Sequence, residues 1–152
     1  MKVVLQRVSD ASVSVDNKIV GKINNGLLVL VGFTYGDTSS DIDYVVNKIL
    51  NIRIFNDDAG IMNKSIIDIN GSILSVSQFT LYADATKGRR PSYDKALKPE
   101  LANDLYNEFN NLLSNSNIHL EKGIFGSDMK VNLTNDGPVT IIIESRVNND
   151  KK

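Results

Sequence analysis

Ala11-Ser12-Val13-Ser14-Val15-Asp16-Asn17-Lys18-Ile19-Val20-Gly21 is the stretch from which the fold can be read. Its apolar residues alternate with Ser12 and Ser14, the period of two of a half-buried strand. Asp16-Asn17 suits a tight two-residue turn, and Lys18-Ile19-Val20-Gly21 resumes beyond it. Asn24-Asn25-Gly26 is a second turn signal. Leu27 to Val31 is then a continuous run of Val and Leu, the pattern of a strand covered on both faces. The first third of the chain therefore reads as β-structure.

Working outward, a helix follows. Thr38, Ser39 and Ser40 all qualify as N-caps, with Asp41 and Asp43 favourable in the first turn. Ile42, Val45, Val46, Ile49 and Leu50 recur with the 3.6-residue period. Asn56 to Gly60 reads as loop and Asn70-Gly71 as a turn. Ile73 to Leu81 reads as a central strand. The segment from Asp84 to Lys98 is polar and basic. A second amphipathic helix begins near Pro99, a residue suited to the first helical position, with Leu101, Leu105, Phe109 and Leu112 as its apolar stripe. His119 falls at a strand edge. Met129, Val131 and Leu133 alternate as a strand, Asn135-Asp136-Gly137-Pro138 breaks it, and Val139 to Glu144 resumes it. The expected fold is α+β: a mainly antiparallel or mixed, barrel-like β-sheet with two principal amphipathic helices. Residues 1–147 form one domain in this reading, and 148–152 a flexible tail.

Composition narrows the chemistry. The chain has 152 residues, 17 Lys+Arg against 18 Asp+Glu, a net charge of −1, no Cys, no Trp and one His. Without Cys there is no thiolate nucleophile, disulfide or thiolate metal site. With His119 alone, a multi-histidine metal site within one chain is ruled out. No carboxylate cluster stands at ligand spacing, so neither metal nor cofactor is expected. The longest apolar stretch, Gly26 to Phe33, is too short to span a bilayer, and Gln6 and Arg7 interrupt any signal-peptide core. A cytoplasmic protein with no membrane partner is the expectation. The near-neutral charge argues against broad coating of nucleic acid.

Three segments could carry chemistry. Ser77-Gln78-Phe79-Thr80 puts two hydroxyls and an amide in an apolar strand; such groups either face a pocket or are satisfied internally, and most are the latter. Asn135-Asp136-Gly137-Pro138-Val139-Thr140 contains a Gly-Pro pair, where glycine permits unusual backbone angles and an X-Pro bond can be cis; a plain turn is the ordinary alternative. Lys87-Gly88-Arg89-Arg90 is either a phosphate contact or a solvated basic loop. Phe125-Gly126 adds an aromatic able to stack on a base or to join the core. Thr80 is a nucleophile by chemical type, without an evident base. His119 has no nucleophile near it in sequence.

Together these segments resemble the D-aminoacyl-tRNA deacylases. Ser77-Gln78-Phe79-Thr80-Leu81 and Asn135-Asp136-Gly137-Pro138-Val139-Thr140 match the two signature motifs of that family. Val4-Leu5-Gln6-Arg7-Val8, Ala11-Ser12-Val13, Lys87-Gly88-Arg89-Arg90-Pro91 and Gly123-Ile124-Phe125-Gly126 with Met129 follow its order. The similarity runs from Met1 to about Ser145. It implies hydrolysis of the ester of D-aminoacyl-tRNA, and of mischarged glycyl-tRNA, releasing free D-amino acid and tRNA, a chiral proofreading step. It implies a homodimer in which a cis Gly137-Pro138 pair enters the partner subunit's site, held by Arg7. Two backbone carbonyls there would accept the substrate's α-ammonium and fill the space of an L side chain. Ser77, Gln78, Phe79 and Thr80 would form the catalytic wall, with backbone N–H groups near Phe79 stabilising the oxyanion and the substrate's ribose 2′-hydroxyl helping the water. Phe125 and Met129 would wall the terminal adenosine, and Lys87, Arg89 and Arg90 would meet tRNA phosphates. Two alternatives stay open: a non-catalytic nucleic-acid-binding module built on the Lys87–Arg90 loop, and a Ser or Thr hydrolase of small esters using Ser77 or Thr80.

Overall fold

The alternation around Val13 belongs to a longer strand, β1 (Lys2–Val15). The computed structural model describes residues 1–146; Val147 and the 148–152 tail lie outside the described residues. Asp16 and Asn17 both take positive φ, 50° and 63°, the backbone that turns β1 directly into β2 (Lys18–Ile23). Asp and Asn tolerate that region better than other side chains. β3 (Gly26–Gly32) pairs antiparallel with Lys2 to Val8, while β2 pairs with Ala11 to Val15. One edge of β1 thus serves two strands. Its other edge pairs along nearly its whole length with β8 (Lys130–Glu144), from Lys2 opposite Glu144 to Ser14 opposite Lys130.

Beyond β3 the sheet becomes parallel, so it is mixed: β6 (Ser72–Ser77) lies beside β3, and β7 (His119–Lys122) beside β6. Parallel neighbours require a crossover, usually helical. α1 (Ser39–Asn51) lies in the first crossover and α2 (Pro99–Ser114) in the second. A short hairpin, β4 (Phe55–Asn56) and β5 (Met62–Lys64), lies between α1 and β6. The sheet curls until its ends approach: a Cβ on Gly21 of β2 would lie 3.1 Å from the Lys122 carbonyl oxygen of β7. The result is the barrel-like α+β fold anticipated. At the β3 entry, a Cβ on Gly26 would sit only 1.8 Å from the Ser72 carbonyl oxygen, so glycine is required for β3 and β6 to start together.

Two apolar clusters explain the continuous Leu27–Val31 run. Leu27, Val29 and Val31 pack with Val3, Leu5, α1 and α2 on one face. Leu28 faces the other way, with Val8, Val13, Leu74 and Val76. α1 is capped by Thr38, whose N–H donates to Asp41 Oδ2 at 2.8 Å, and all five apolar residues of its expected stripe are buried. The Met1 ammonium donates to Asp37 Oδ1 at 2.7 Å and to Ser145 Oγ at 3.1 Å, and Arg146 also meets Asp37.

Three expectations need correction. β6 stops at Ser77 rather than running to Leu81. β8 is continuous through Asn135 to Pro138; the motif forms a bulge in the strand. The buried stripe of α2 is Ala102, Tyr106, Phe109 and Leu113, while Leu101 is 54% exposed. Leu105 and Leu112 only flank that stripe. Among the described residues, no helix is long and apolar enough to cross a membrane.

Candidate active site

The end of β6 builds one wall. The Gln78 N–H donates to the Val31 carbonyl at 2.7 Å, the last tie to β3. The chain then winds into a single 3-10 turn, Phe79–Tyr82, closed by Leu81 N–H to Gln78 O at 3.2 Å. The first N–H groups of such a turn have no partner within it; here they belong to Phe79 and Thr80. The turn also lifts Phe79 out of the sheet: it is 57% exposed, with Tyr93 packed edge-on at 5.2 Å. The Gln78 amide donates to Thr80 Oγ1 at 2.6 Å. Among the described residues, no histidine or carboxylate hydrogen-bonds to the Thr80 or Ser77 hydroxyl.

Above this wall lies a cavity of about 620 Å³. Ser77, Gln78 and Phe79 line it together with Phe125 and Met129, and Tyr93 and the first turn of α2 belong to the same lining. Five of the residues singled out from sequence therefore share one cavity. Thr80, Arg7, Gly137, Pro138, Lys87, Arg89 and Arg90 do not line it. Tyr93, Lys98 and Ala102, which do, were missed. An exposed aromatic within a polar segment was the one available signal, at Tyr93.

The second motif sits elsewhere on the chain. The β1–β8 register jumps from Val8 opposite Asn135 to Gln6 opposite Thr140, so residues 136–139 bulge out beside Arg7. Gly137–Pro138 is a cis bond, and Gly137 has φ +142°. Arg7 is 8% exposed. Its Nε donates to the Asp136 carbonyl at 2.8 Å and its Nη1 to the Ile54 carbonyl at 2.8 Å. Asn135 clamps the bulge from within: its Oδ1 accepts from the Val139 N–H at 2.7 Å, and its Nδ2 donates to the Val139 carbonyl at 3.2 Å. Asn135 lay inside the quoted motif, but its clamping role is visible only in the structure.

The basic segment leaves the body of the molecule between paired hydrogen bonds of Asp84 with Ser92, both 2.8 Å. Lys87, Arg89 and Arg90 are exposed at its far end, and among the described residues none of them forms an ion pair. Lys95 instead meets Asp84 at 3.6 Å. Hydrogen bonds from the Thr86 hydroxyl and N–H, with Lys95 nearby, hold the Asp84 carboxyl below its ordinary value. Beyond the excursion, Tyr93 and Lys98 line the cavity. His119 is exposed on β7, with Glu121 at 3.9 Å, and does not line this cavity. Among the described residues, no three His, Asp or Glu side chains converge as a metal site would require.

Residues 4–144 match the family model of the D-Tyr-tRNA(Tyr) deacylases. A solved structure described as "c-Myc DNA Unwinding Element Binding Protein" is 41% identical, superposes with a TM-score of 0.92, and is matched over 97% of this chain and 100% of its own. Another, described as a "probable eukaryotic D-amino acid tRNA deacylase", has a TM-score of 0.82 over 94% of this chain and 98% of its own; at 18% identity it shows likeness of fold.

Proposed function

The chain belongs to the D-Tyr-tRNA(Tyr) deacylase family and is a hydrolase acting on D-aminoacyl-tRNA in translational proofreading; from that premise we propose how its residues do the work. The observation that carries the proposal is the single cavity lined by both Ser77–Phe79 and Phe125 with Met129. Its volume suits a small charged acyl-nucleoside. The terminal adenosine lies against Phe125 and Met129, with its ester toward Phe79. Water adds to the ester carbonyl, helped by the neighbouring ribose 2′-hydroxyl. The oxyanion is held by main-chain N–H groups at the start of the 3-10 turn, donors that need no reorganisation. The acyl–oxygen bond to ribose then breaks, the ribose oxygen takes the proton, and the free D-amino acid leaves.

Chirality is read by backbone. Two chains associate so that Gly137-Pro138 of one enters the cavity of the other. That arrangement accounts for a motif held rigidly by Arg7 and Asn135 yet absent from its own chain's cavity. The carbonyls accept the α-ammonium, and the same atoms occupy the space an L side chain would need. Glycine has no side chain to exclude, so glycyl-tRNA is also cleaved. Thr80 acts as a wall residue, its hydroxyl engaged by Gln78. Lys87, Arg89 and Arg90 contact phosphates of the acceptor stem. Residues 1–147 act as one domain, and the reaction takes place in the cytoplasm, where its substrate is made. The deciding measurement is paired hydrolysis of D- and L-tyrosyl-tRNA: D-tyrosyl-tRNA is lost rapidly and L-tyrosyl-tRNA survives. Equal rates would overturn the chirality argument.

A second reading, nucleic-acid binding without catalysis, is favoured by the three exposed cations at 87–90. The 41%-identical relative is also named for binding a DNA element. Under that reading, affinity for arbitrary duplex is high and falls steeply with salt. A net charge of −1 weighs against it.

A further inference from the structure

The Ser75 carbonyl oxygen is a junction. It accepts from the Tyr106 hydroxyl at 2.9 Å and from the Gly123 N–H at 3.0 Å. The Ser75 hydroxyl in turn donates to Tyr106 Oη at 3.1 Å. Ser75 is 0% exposed and Tyr106 2% exposed. Each of the three residues leads directly to a wall of the cavity. Ser75 stands two residues before Ser77 on β6, and therefore on the same face. Tyr106 stands one turn after Ala102 on the buried stripe of α2. Gly123 follows Lys122, the last residue of β7 paired with β6, and stands two residues before Phe125. The Tyr106 ring also packs on Phe125, with centroids 5.9 Å apart.

Packing alone does not explain a tyrosine here. A phenylalanine would fill the same space, and a buried hydroxyl is costly unless it is bonded. The hydroxyl is bonded to both the side chain and the main chain of Ser75, and burial raises the phenol's pKa, so it stays protonated as a donor.

We propose that Tyr106 is a positioning residue for the deacylation reaction: closed on Ser75 and packed on Phe125, it sets the distance across the cavity between the Phe79 turn and the Phe125 wall. This rests on the reading that Phe79 serves the oxyanion and Phe125 the adenosine. Small displacements between such groups cost rate more than affinity, because the oxyanion exists only along the reaction path.

The test is Tyr106→Phe, which keeps the ring, its contact with Phe125 and the Gly123 bond to Ser75. Steady-state hydrolysis of D-tyrosyl-tRNA is expected to show kcat lowered about tenfold with KM changed less than about twofold. In the free protein, the backbone amide resonances of both Phe79 and Phe125 are expected to shift or broaden. A lowered unfolding midpoint with kcat and both amides unchanged would overturn the proposal and leave Tyr106 as core packing. Should Tyr106→Phe not fold, Ser75→Ala removes one of the two side-chain bonds; kcat is then expected to fall about threefold with the same split, and an unchanged kcat overturns the proposal. A wild-type protein that leaves D-tyrosyl-tRNA intact would refute the deacylase reading itself, while the amide resonances would still decide whether Tyr106 couples the two walls.

Discussion

Arg7 is a charged side chain taken almost wholly out of water, 8% exposed. Such burial is sustained only by hydrogen bonds, and its guanidinium donates to main-chain carbonyls at Asp136 and Ile54. Arg7→Met leaves both carbonyls without that donor and is expected to cost about 1–3 kcal/mol, read from urea unfolding. It also frees the 136–139 bulge, so the ratio of D- to L-tyrosyl-tRNA hydrolysis is expected to fall at least about tenfold. A lowered stability with an unchanged ratio would make Arg7 a purely structural residue. His119 is the contrasting case, exposed and outside the cavity. His119→Ala is expected to keep turnover within about twofold; a large loss without unfolding would mean that the chemistry lies elsewhere. Residue types were informative here: the motif residues Ser77, Gln78, Phe79, Phe125 and Met129 converge. Sequence said nothing of Ser75 or Tyr106, because their importance lies in a bond between residues 31 positions apart.

The elements show where periodicity is a faithful guide and where it is not. α1 obeys it, since its apolar residues and its buried face coincide. α2 departs from it because its buried face lies one position along from the leucines, at Ala102, Tyr106 and Leu113, with the Tyr106 hydroxyl bonded to Ser75. Phe109, fully buried, is the anchor. Phe109→Ala is expected to destabilise by about 3–5 kcal/mol, whereas Leu101→Glu is expected within about 0.5 kcal/mol of wild type by thermal or urea unfolding. β6 ends earlier than expected and β8 runs on through an expected break for one reason: backbone hydrogen bonding, rather than apolar content or turn-forming residues, decides where a strand continues. The N-terminus of α1 carries a pH dependence. Burial alone would raise the pKa of Asp41, but hydrogen bonds from Ser145 and the Thr38 N–H, together with the Met1 ammonium and Arg146, hold it below 3.8. The carboxylate's contribution is therefore complete above pH 3.8 and is lost as pH falls through the lower folded value. Acid unfolding followed by circular dichroism is expected to show stability declining in that window, and Asp41→Asn is expected to flatten the decline.

At the scale of the whole molecule, the two motifs lie apart on one chain. The cavity holds the Ser77–Phe79 wall, while Gly137-Pro138 is presented on a bulge away from it. Association of two chains would complete each site, and light scattering is expected to give double the 16.8 kDa of one chain. A monomer that retained full D-over-L discrimination would refute the exchange of Gly137-Pro138. The 152 residues by themselves determined the α+β class, both helices, the hairpin at Asp16-Asn17 and the family resemblance. These depend on periodicity, turn chemistry and short motifs, all of which are local along the chain. Only the tertiary structure decided that β3, β6 and β7 run parallel, that Tyr106 is buried against Ser75, and that Arg7 grips Asp136 across a bulge. Those facts depend on which distant segments pair and in what register, and pairing energy belongs to the folded contacts between segments rather than to either segment alone.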